Sequence, residues 1–207
     1  FLTCEELTAL SEEREGQGRF GPGKPSVFCI SKPETYDFLE TYCAEIAALF
    51  PSRHFHAGLD EAWDFGFCPL CRKRWRREGL GRLFIGHVLR MESLLRRLGK
   101  RMWMWDDMFE LFPEELERVP KSVVLCHWNY DAGVEPEGSQ AHFVNRTRRD
   151  WLGAYARLGL DAVFCPWNRY ADNIESLTRH AAGKSVMGGL LTQWEGSPRF
   201  FPDQAVM

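Results

Sequence analysis

Short apolar runs alternate with helix-like stretches along the 207 residues of this chain. Val27-Phe28-Cys29-Ile30 is the first run. Ser31-Lys32-Pro33-Glu34 follows with a helix-start pattern, a serine with a glutamate three residues on. Apolar positions then recur at helical spacing as far as Phe50. A second run, His54-Phe55-His56, leads into the pair Asp60-Glu61. Residues 69–99 read as one basic helical stretch, 101–105 as a strand and 113–118 as a short helix. Residues 123–128 read as the next strand, about 140–158 as a helix, 161–165 as a strand, 173–182 as a short helix and 186–192 as the last strand.

The strand-like runs are continuously apolar rather than alternating, as in a parallel sheet covered on both faces. Polar and aromatic residues gather just after them: Asp60 and Glu61; Trp105, Asp106 and Asp107; Trp128, Asn129 and Tyr130; Trp167, Asn168 and Tyr170; Gln193, Trp194 and Glu195. A doubly wound sheet would concentrate such residues at one switch point. A (β/α)8 TIM-type barrel builds its site from many C-terminal strand ends, and five loaded ends favour that α/β architecture. Six runs make about six of eight βα units, so a fragment is expected. On this reading residues 1–25, rich in glycine and proline toward their end, form a loop or partial βα unit at a truncated N-terminal edge. Residues 26–207 form a partial barrel catalytic domain.

Composition narrows the partners. Lys and Arg number 26 against 29 Asp and Glu, a net charge of −3, which leaves no basic footprint for nucleic acid or an anionic membrane. No apolar run approaches the roughly 20 residues that span a bilayer. Aromatic residues make up 14% of the chain and include eight tryptophans, enough for a core and for a pocket that stacks sugar faces. The seven cysteines are odd in number and irregular in spacing. Cys29, Cys126 and Cys165 lie inside apolar runs, which points to free thiols and an intracellular, reducing compartment rather than a disulfide framework. No targeting signal is visible. Cys68-Pro69-Leu70-Cys71 has the spacing of half a zinc site, but no second such pair follows. It reads as a thiol-bearing loop or a local disulfide, and no metal or cofactor is expected.

The acid pair is the main chemical signal. Adjacent carboxylates repel, and neither is easily kept dry. Alone, the pair could equally complement a helix dipole. His56-x-Gly58-x-Asp60-Glu61, however, resembles the signature of glycoside hydrolase family 20, the β-N-acetylhexosaminidases. Met104-Trp105-Asp106-Asp107-Met108, 124–131 and Leu190-Leu191-Thr192-Gln193-Trp194 are similar to that family's later Trp-bearing strand ends, in the same order. The hexosaminidase D-like branch is the nearest in pattern.

The resemblance implies removal of terminal β-linked GlcNAc or GalNAc by a substrate-assisted retaining mechanism. It assigns Glu61 as acid and base, and Asp60 as the group that orients the 2-acetamido substituent. Trp105, Trp128 and Trp194 would wall the sugar pocket, with His56 and Asp106 contributing. Either Tyr130 or Tyr170 would donate to the acetamido oxygen. Tyr170-Ala171-Asp172 resembles the main family's Tyr-x-Asp, which brings in Asp172. Glu195 would bind a sugar hydroxyl, although Trp194-Glu195 is one residue tighter than the family's Trp-x-Glu. Gly58-Leu59 stands where Gly-Gly is usual. Two rival readings remain. One is a metal-dependent barrel enzyme using Asp60, Glu61 and Asp106 or Asp107. The other is a catalytically inactive sugar-binding barrel.

Overall fold

A computed structural model describes residues 5–12, 17–18, 21–22, 27–131, 133–134 and 150–194. Helix α1 (Pro33–Leu49) opens on a proline, whose missing N–H costs nothing in a first turn. The expected serine cap is not made: Lys32 holds the N-cap position without a side-chain bond, and Ser31 Oγ instead lies 3.1 Å from Cys71 Sγ. The helix stops at Phe50, before Pro51, where the proline ring disfavours helical backbone.

Strand β1 (His54–His56) follows. The expected single helix over 69–99 is two, α2 (Pro69–Glu78) and α3 (Leu80–Arg97). Gly79 separates them at φ 90°, a conformation that favours glycine. Helix α3 buries Leu83, Phe84, Val88, Met91, Leu94 and Leu95 along one stripe. Strand β2 is Arg101–Trp105. Two 3-10 segments, Asp107–Glu110 and Pro113–Arg118, lead to β3 (Val124–Trp128). Helix α4 (Trp151–Leu158) is capped by Asp150, whose carboxylate accepts the Gly153 N–H at 3.0 Å. The earlier part of the helix expected from about 140 lies outside the described residues. Strand β4 (Asp161–Cys165), α5 (Ala171–Ala181) and β5 (Gly188–Gly189) complete the order.

The five strands of this sheet are parallel and lie side by side in chain order, β1 through β5, while the two-residue strands Gln17–Gly18 and Gly21–Pro22 pair antiparallel in a separate sheet. Sequential order without reversal is the arc of a β/α barrel, not a doubly wound sheet. The register sets His56 beside Trp103, Trp105 beside Cys126 and Trp128 beside Cys165. Strand alternation then sorts the side chains. Met102, Met104, Leu125 and Ala162 enter the main core with Leu83, Leu95, Phe109, Trp151 and Tyr155. Val124, Cys126, Val163 and Cys165 form the opposite face, and Trp103, Trp105 and Trp128 pack on it.

Two expected strands differ. The run from Val27 to Ile30 joins no parallel ladder. Phe28 forms an isolated antiparallel bridge with Ser11, and the Cys29 N–H donates to the Leu10 carbonyl at 2.8 Å. Its backbone is spent on the N-terminal segment instead of on β1. Of 186–192, only Gly188 and Gly189 are laddered, with a further bridge between Trp167 and Thr192. A Cβ on Gly189 would meet the Phe164 ring at 2.7 Å, so close backbone approach sets this contact. Among the described residues, no helix is long and apolar enough to cross a membrane.

Candidate active site

The loop after β1 carries the acid pair on strained backbone. Gly58 and Leu59 both have φ 74° and Glu61 has φ 48°. Non-glycine residues in this region cost about 1 kcal/mol or more and persist where surroundings over-determine them. Those surroundings are visible. The Gly58 carbonyl accepts the Trp105 N–H at 3.0 Å, and the Ala57 N–H donates to the Trp103 carbonyl at 2.8 Å, so the β1–β2 ladder runs on into the loop. The Gly58 N–H donates to His56 Nδ1 at 3.1 Å. The Glu61 N–H donates to Asp107 Oδ2 at 2.7 Å. Asp60 is exposed and Glu61 half-buried.

The two aspartates after β2 part company. Asp107 is buried, and its Oδ1 accepts Trp128 Nε1–H at 3.3 Å. One carboxylate therefore ties the acid loop to the end of β3. Asp106 is also buried, but its Oδ2 lies 2.6 Å from His127 Nδ1 and accepts the Tyr155 hydroxyl at 2.5 Å. Burial and the Asp106 charge hold the Tyr155 phenol well above its ordinary pKa, so it remains a donor. This triad faces α4, whereas Asp107 faces the loop.

Aromatic rings line the strand ends. His56 and Trp105 have ring centroids 4.7 Å apart, and Trp105 and Trp194 are 6.4 Å apart. Trp128 lies 4.9 Å from Tyr130, Tyr130 lies 5.4 Å from Trp167, and Trp167 lies 5.4 Å from Tyr170. Trp194 Nε1 donates to the Tyr130 hydroxyl at 2.8 Å, joining the end of the last strand to that of β3. Burial, the largest influence, pushes the Tyr130 phenol up to about 12. Tyr170 is the N-cap of α5 and Asp172 lies exposed in that helix's first turn. Glu195 lies outside the described residues.

Three residues outside the set that the family resemblance assigns to the sugar site contribute to its geometry. Asp107 is the first. Trp167 is the second, seated between Tyr130 and Tyr170. Asn173 is the third and is fully buried. Its Oδ1 accepts the Trp167 N–H at 2.8 Å, and its Nδ2 donates to the carbonyls of Asn129 at 2.9 Å and Asp131 at 2.5 Å. Asn173 thereby pins the chain after β3 to the chain after β4. A cavity of 730 Å³ lies elsewhere, along the outer edge of β1 against α1. Leu39, Tyr42, Cys43, Phe55 and Met91 line it, and it reaches the acid loop along His56, Gly58, Leu59 and Asp60.

The sequential parallel arc, with carboxylates and aromatics at its C-terminal rim, is part of a TIM-type β/α barrel. Residues 3–148 match the family model for the glycosyl hydrolase family 20 catalytic domain, and the chain belongs to that family. It is 37% identical over 108 residues to a beta-hexosaminidase of Vibrio furnissii, a match covering 50% of this chain and 17% of the relative. It is 35% identical over 115 residues to a beta-hexosaminidase of Porphyromonas gingivalis, covering 52% of this chain and 14% of the relative. The chain thus spans less than a fifth of either relative's length. Among solved structures, it is similar to the GH20 exo beta-N-acetylglucosaminidase from Vibrio harveyi in complex with N-acetylglucosamine. The TM-score there is 0.54 at 26% identity, over 78% of this chain and 23% of that one. The beta-N-acetylhexosaminidase from Bacteroides fragilis gives a TM-score of 0.51 at 26% identity, over 69% of this chain and 26% of that one.

Proposed function

We propose that this chain carries the acid/base centre of a retaining, exo-acting β-N-acetylhexosaminidase whose nucleophile is supplied by the substrate. The observation that carries the reading is the adjacency of Asp60 and Glu61 on a loop fixed by Asp107, at the rim of an aromatic-lined strand arc. A two-carboxylate retaining glycosidase needs its acids about 5 Å apart on opposite sides of the scissile bond, which neighbours in the chain are poorly placed to provide. An adjacent pair suits a different division of labour.

In the first half-reaction, Glu61 gives its proton to the glycosidic oxygen. The 2-acetamido carbonyl oxygen attacks the anomeric carbon and the aglycone leaves as an alcohol. Asp60 accepts the acetamido N–H and offsets the positive charge of the oxazolinium ion. In the second, Glu61 takes a proton from water, the water oxygen attacks the anomeric carbon, and the ring opens to the hemiacetal with retained configuration. Trp105, Trp128 and Trp194 wall the sugar face and the acetamido methyl. Tyr130 is the better placed of the two tyrosines to donate to the acetamido oxygen. Its ring is wedged between Trp128 and Trp167 and its hydroxyl is held by Trp194, whereas Tyr170 is 43% exposed. Terminal β-linked GlcNAc or GalNAc is the substrate class. N-acetylglucosamine in the complex of the similar Vibrio harveyi enzyme supports that choice.

The rival metal-dependent reading draws less support: among the described residues Asp60, Glu61, Asp106 and Asp107 do not bring three ligand atoms together, since Asp106 turns to His127 and Tyr155 while Asp107 turns to the acid loop. The test is turnover of an aryl N-acetyl-β-glucosaminide by the full-length protein. Glu61→Gln should lower kcat by about 10²–10⁴-fold, less for an aglycone that leaves without protonation. Unchanged turnover would remove Glu61 from the acid role.

A further inference from the structure

Behind the acid loop, three segments distant in sequence bring four ligand-type side chains to one point. Glu12 comes from the N-terminal segment, Cys29 from the run before α1, and Cys68 and Cys71 from the start of α2. All four are buried, none more than 2% exposed, and their ligand atoms lie within 4.8 Å of one another. Cys29 Sγ is 3.3 Å from Cys68 Sγ and 3.7 Å from Cys71 Sγ. We propose that Glu12, Cys29, Cys68 and Cys71 form a structural zinc site that clamps the N-terminal segment to the loop following the catalytic acids.

The sulfur separations of 3.7 and 3.3 Å lie at and somewhat inside those of a bound metal. Zn–S bonds of ~2.3 Å at a tetrahedral centre place the sulfurs about 3.8 Å apart, with a carboxylate oxygen slightly closer. Three thiolates select a soft or borderline ion over magnesium or calcium, and four ligands in a closed, buried site match structural zinc. The half-site spacing of Cys68 and Cys71 was legible in the sequence. The other half comes from residues 39 and 56 positions before Cys68, which no spacing rule connects.

The surroundings are those that thiolate ligands need. The Cys71 N–H donates to Cys68 Sγ at 3.3 Å, and Ser31 Oγ lies 3.1 Å from Cys71 Sγ. Glu12 is aimed by two backbone donors, the Cys68 N–H on Oε2 at 2.6 Å and the Gly66 N–H on Oε1 at 3.3 Å. Each carboxylate oxygen keeps a second lone pair for the ion. With a divalent cation the centre would be net anionic. Arg74 offsets that charge from one shell out, donating to Ser31 Oγ and the Ile30 carbonyl, both at 3.3 Å. A disulfide is the competing use of the same atoms. It would join two of three free thiols and strand the third beside a buried carboxylate.

Loading is a proton exchange. Zn²⁺ displaces one proton from each of the three thiols to solvent, Glu12 binds as the carboxylate, and no electron moves. The mechanical consequence lies in the loop. Gly66 and Cys68 are held by Glu12, and the Gly66 carbonyl accepts Trp75 Nε1–H at 2.9 Å. The end of the segment that begins with Asp60-Glu61 is thereby anchored.

The experiment uses the full-length protein purified without chelator. Elemental analysis should find about one zinc per chain, and mercurial titration of the thiols should release it stoichiometrically. Cys29→Ser and Cys71→Ser should lose most of the zinc, while Cys43→Ala, a buried thiol outside the cluster, should keep it. Should the serine variants fail to fold, cobalt exchange into the unmodified protein provides an independent reading. Intense visible bands with thiolate-to-cobalt charge transfer are expected. Zinc far below one per chain together with a weak octahedral cobalt spectrum would overturn the proposal. So would a peptide in which two of these three cysteines are disulfide-linked in the freshly purified protein.

Discussion

The backbone N–H of Glu61 donates to the carboxylate of Asp107 at 2.7 Å, across 46 residues of sequence. This bond fixes Glu61 at φ 48°, a backbone state that a glutamate seldom adopts unaided. Because Asp107 also holds Trp128, one side chain sets both the proposed acid and part of the proposed sugar wall. Asp107→Ala should therefore lower kcat by up to about 100-fold, the scale of loss when a reacting group is misplaced by about 1 Å. Asp107→Asn, which retains one acceptor oxygen for the Glu61 N–H, should lose less. Steady-state kinetics on an aryl glycoside of each variant, with circular dichroism as a check on folding, decides this.

Asn173 should matter to stability out of proportion to its size. It is fully buried and makes three hydrogen bonds to backbone, to Trp167, Asn129 and Asp131. Asn173→Ala leaves those three backbone groups short of a partner, at a cost of about 2–4 kcal/mol. Asn173→Asp keeps the acceptor for the Trp167 N–H but sets a carboxylate against two carbonyl oxygens, so it should be no milder. Urea unfolding measures both. A loss below about 0.5 kcal/mol for the alanine variant would mean that water replaces the side chain at no penalty.

The strand positions and their chemistry were legible in sequence because a parallel sheet leaves continuous apolar runs, and a barrel loads their C-terminal ends. Met104, Trp105, Leu125 and Val163 lie where those rules place them. What sequence could not resolve was partner choice. Asp106 and Asp107 are the same residue type at neighbouring positions, and only their opposite directions off the end of β2 send one to His127 and Tyr155 and the other to Glu61. Asn173 reads in sequence as an ordinary polar residue at a helix start. Its role depends on the distance between two loops that the chain brings together only on folding. The run from Val27 to Ile30 misleads for a related reason. Its apolar character reflects burial of Cys29 and Ile30, not membership of the sheet.

Tyr130 supplies a pH signature. Burial raises its phenol from 10.0 to about 12, so the folded state keeps the proton that the unfolded chain gives up. The corresponding stability is fully present below about pH 10, and it is lost as pH rises from there through 12. Tyr130→Phe has no such proton. Its unfolding free energy should fall less steeply between pH 10 and 12 than that of the unsubstituted protein. Identical slopes in the two proteins would place the phenol in water. At pH 7 the same variant should raise KM for an N-acetylated substrate, since the neutral hydroxyl is the donor assigned to the acetamido oxygen.

Trp194 separates the pocket role of the aromatic wall from a packing role. At 58% exposure it stabilises the fold little, and Trp194→Ala should change the unfolding free energy by less than about 1 kcal/mol. Substrate binding would cover the exposed ring. Losing a stacked aromatic surface should therefore cost about tenfold or more in kcat/KM. Trp194→Phe tests the two parts of the side chain. The phenyl ring keeps most of the apolar face, but it cannot donate to the Tyr130 hydroxyl as Nε1 does at 2.8 Å. If the wall acts mainly by stacking, the phenylalanine variant should recover most of the lost kcat/KM. If it acts mainly by aiming Tyr130, the variant should remain nearly as impaired as the alanine variant, with the loss confined to N-acetylated substrates. A fall in melting temperature that matched the fall in activity across both variants would instead assign Trp194 to the core.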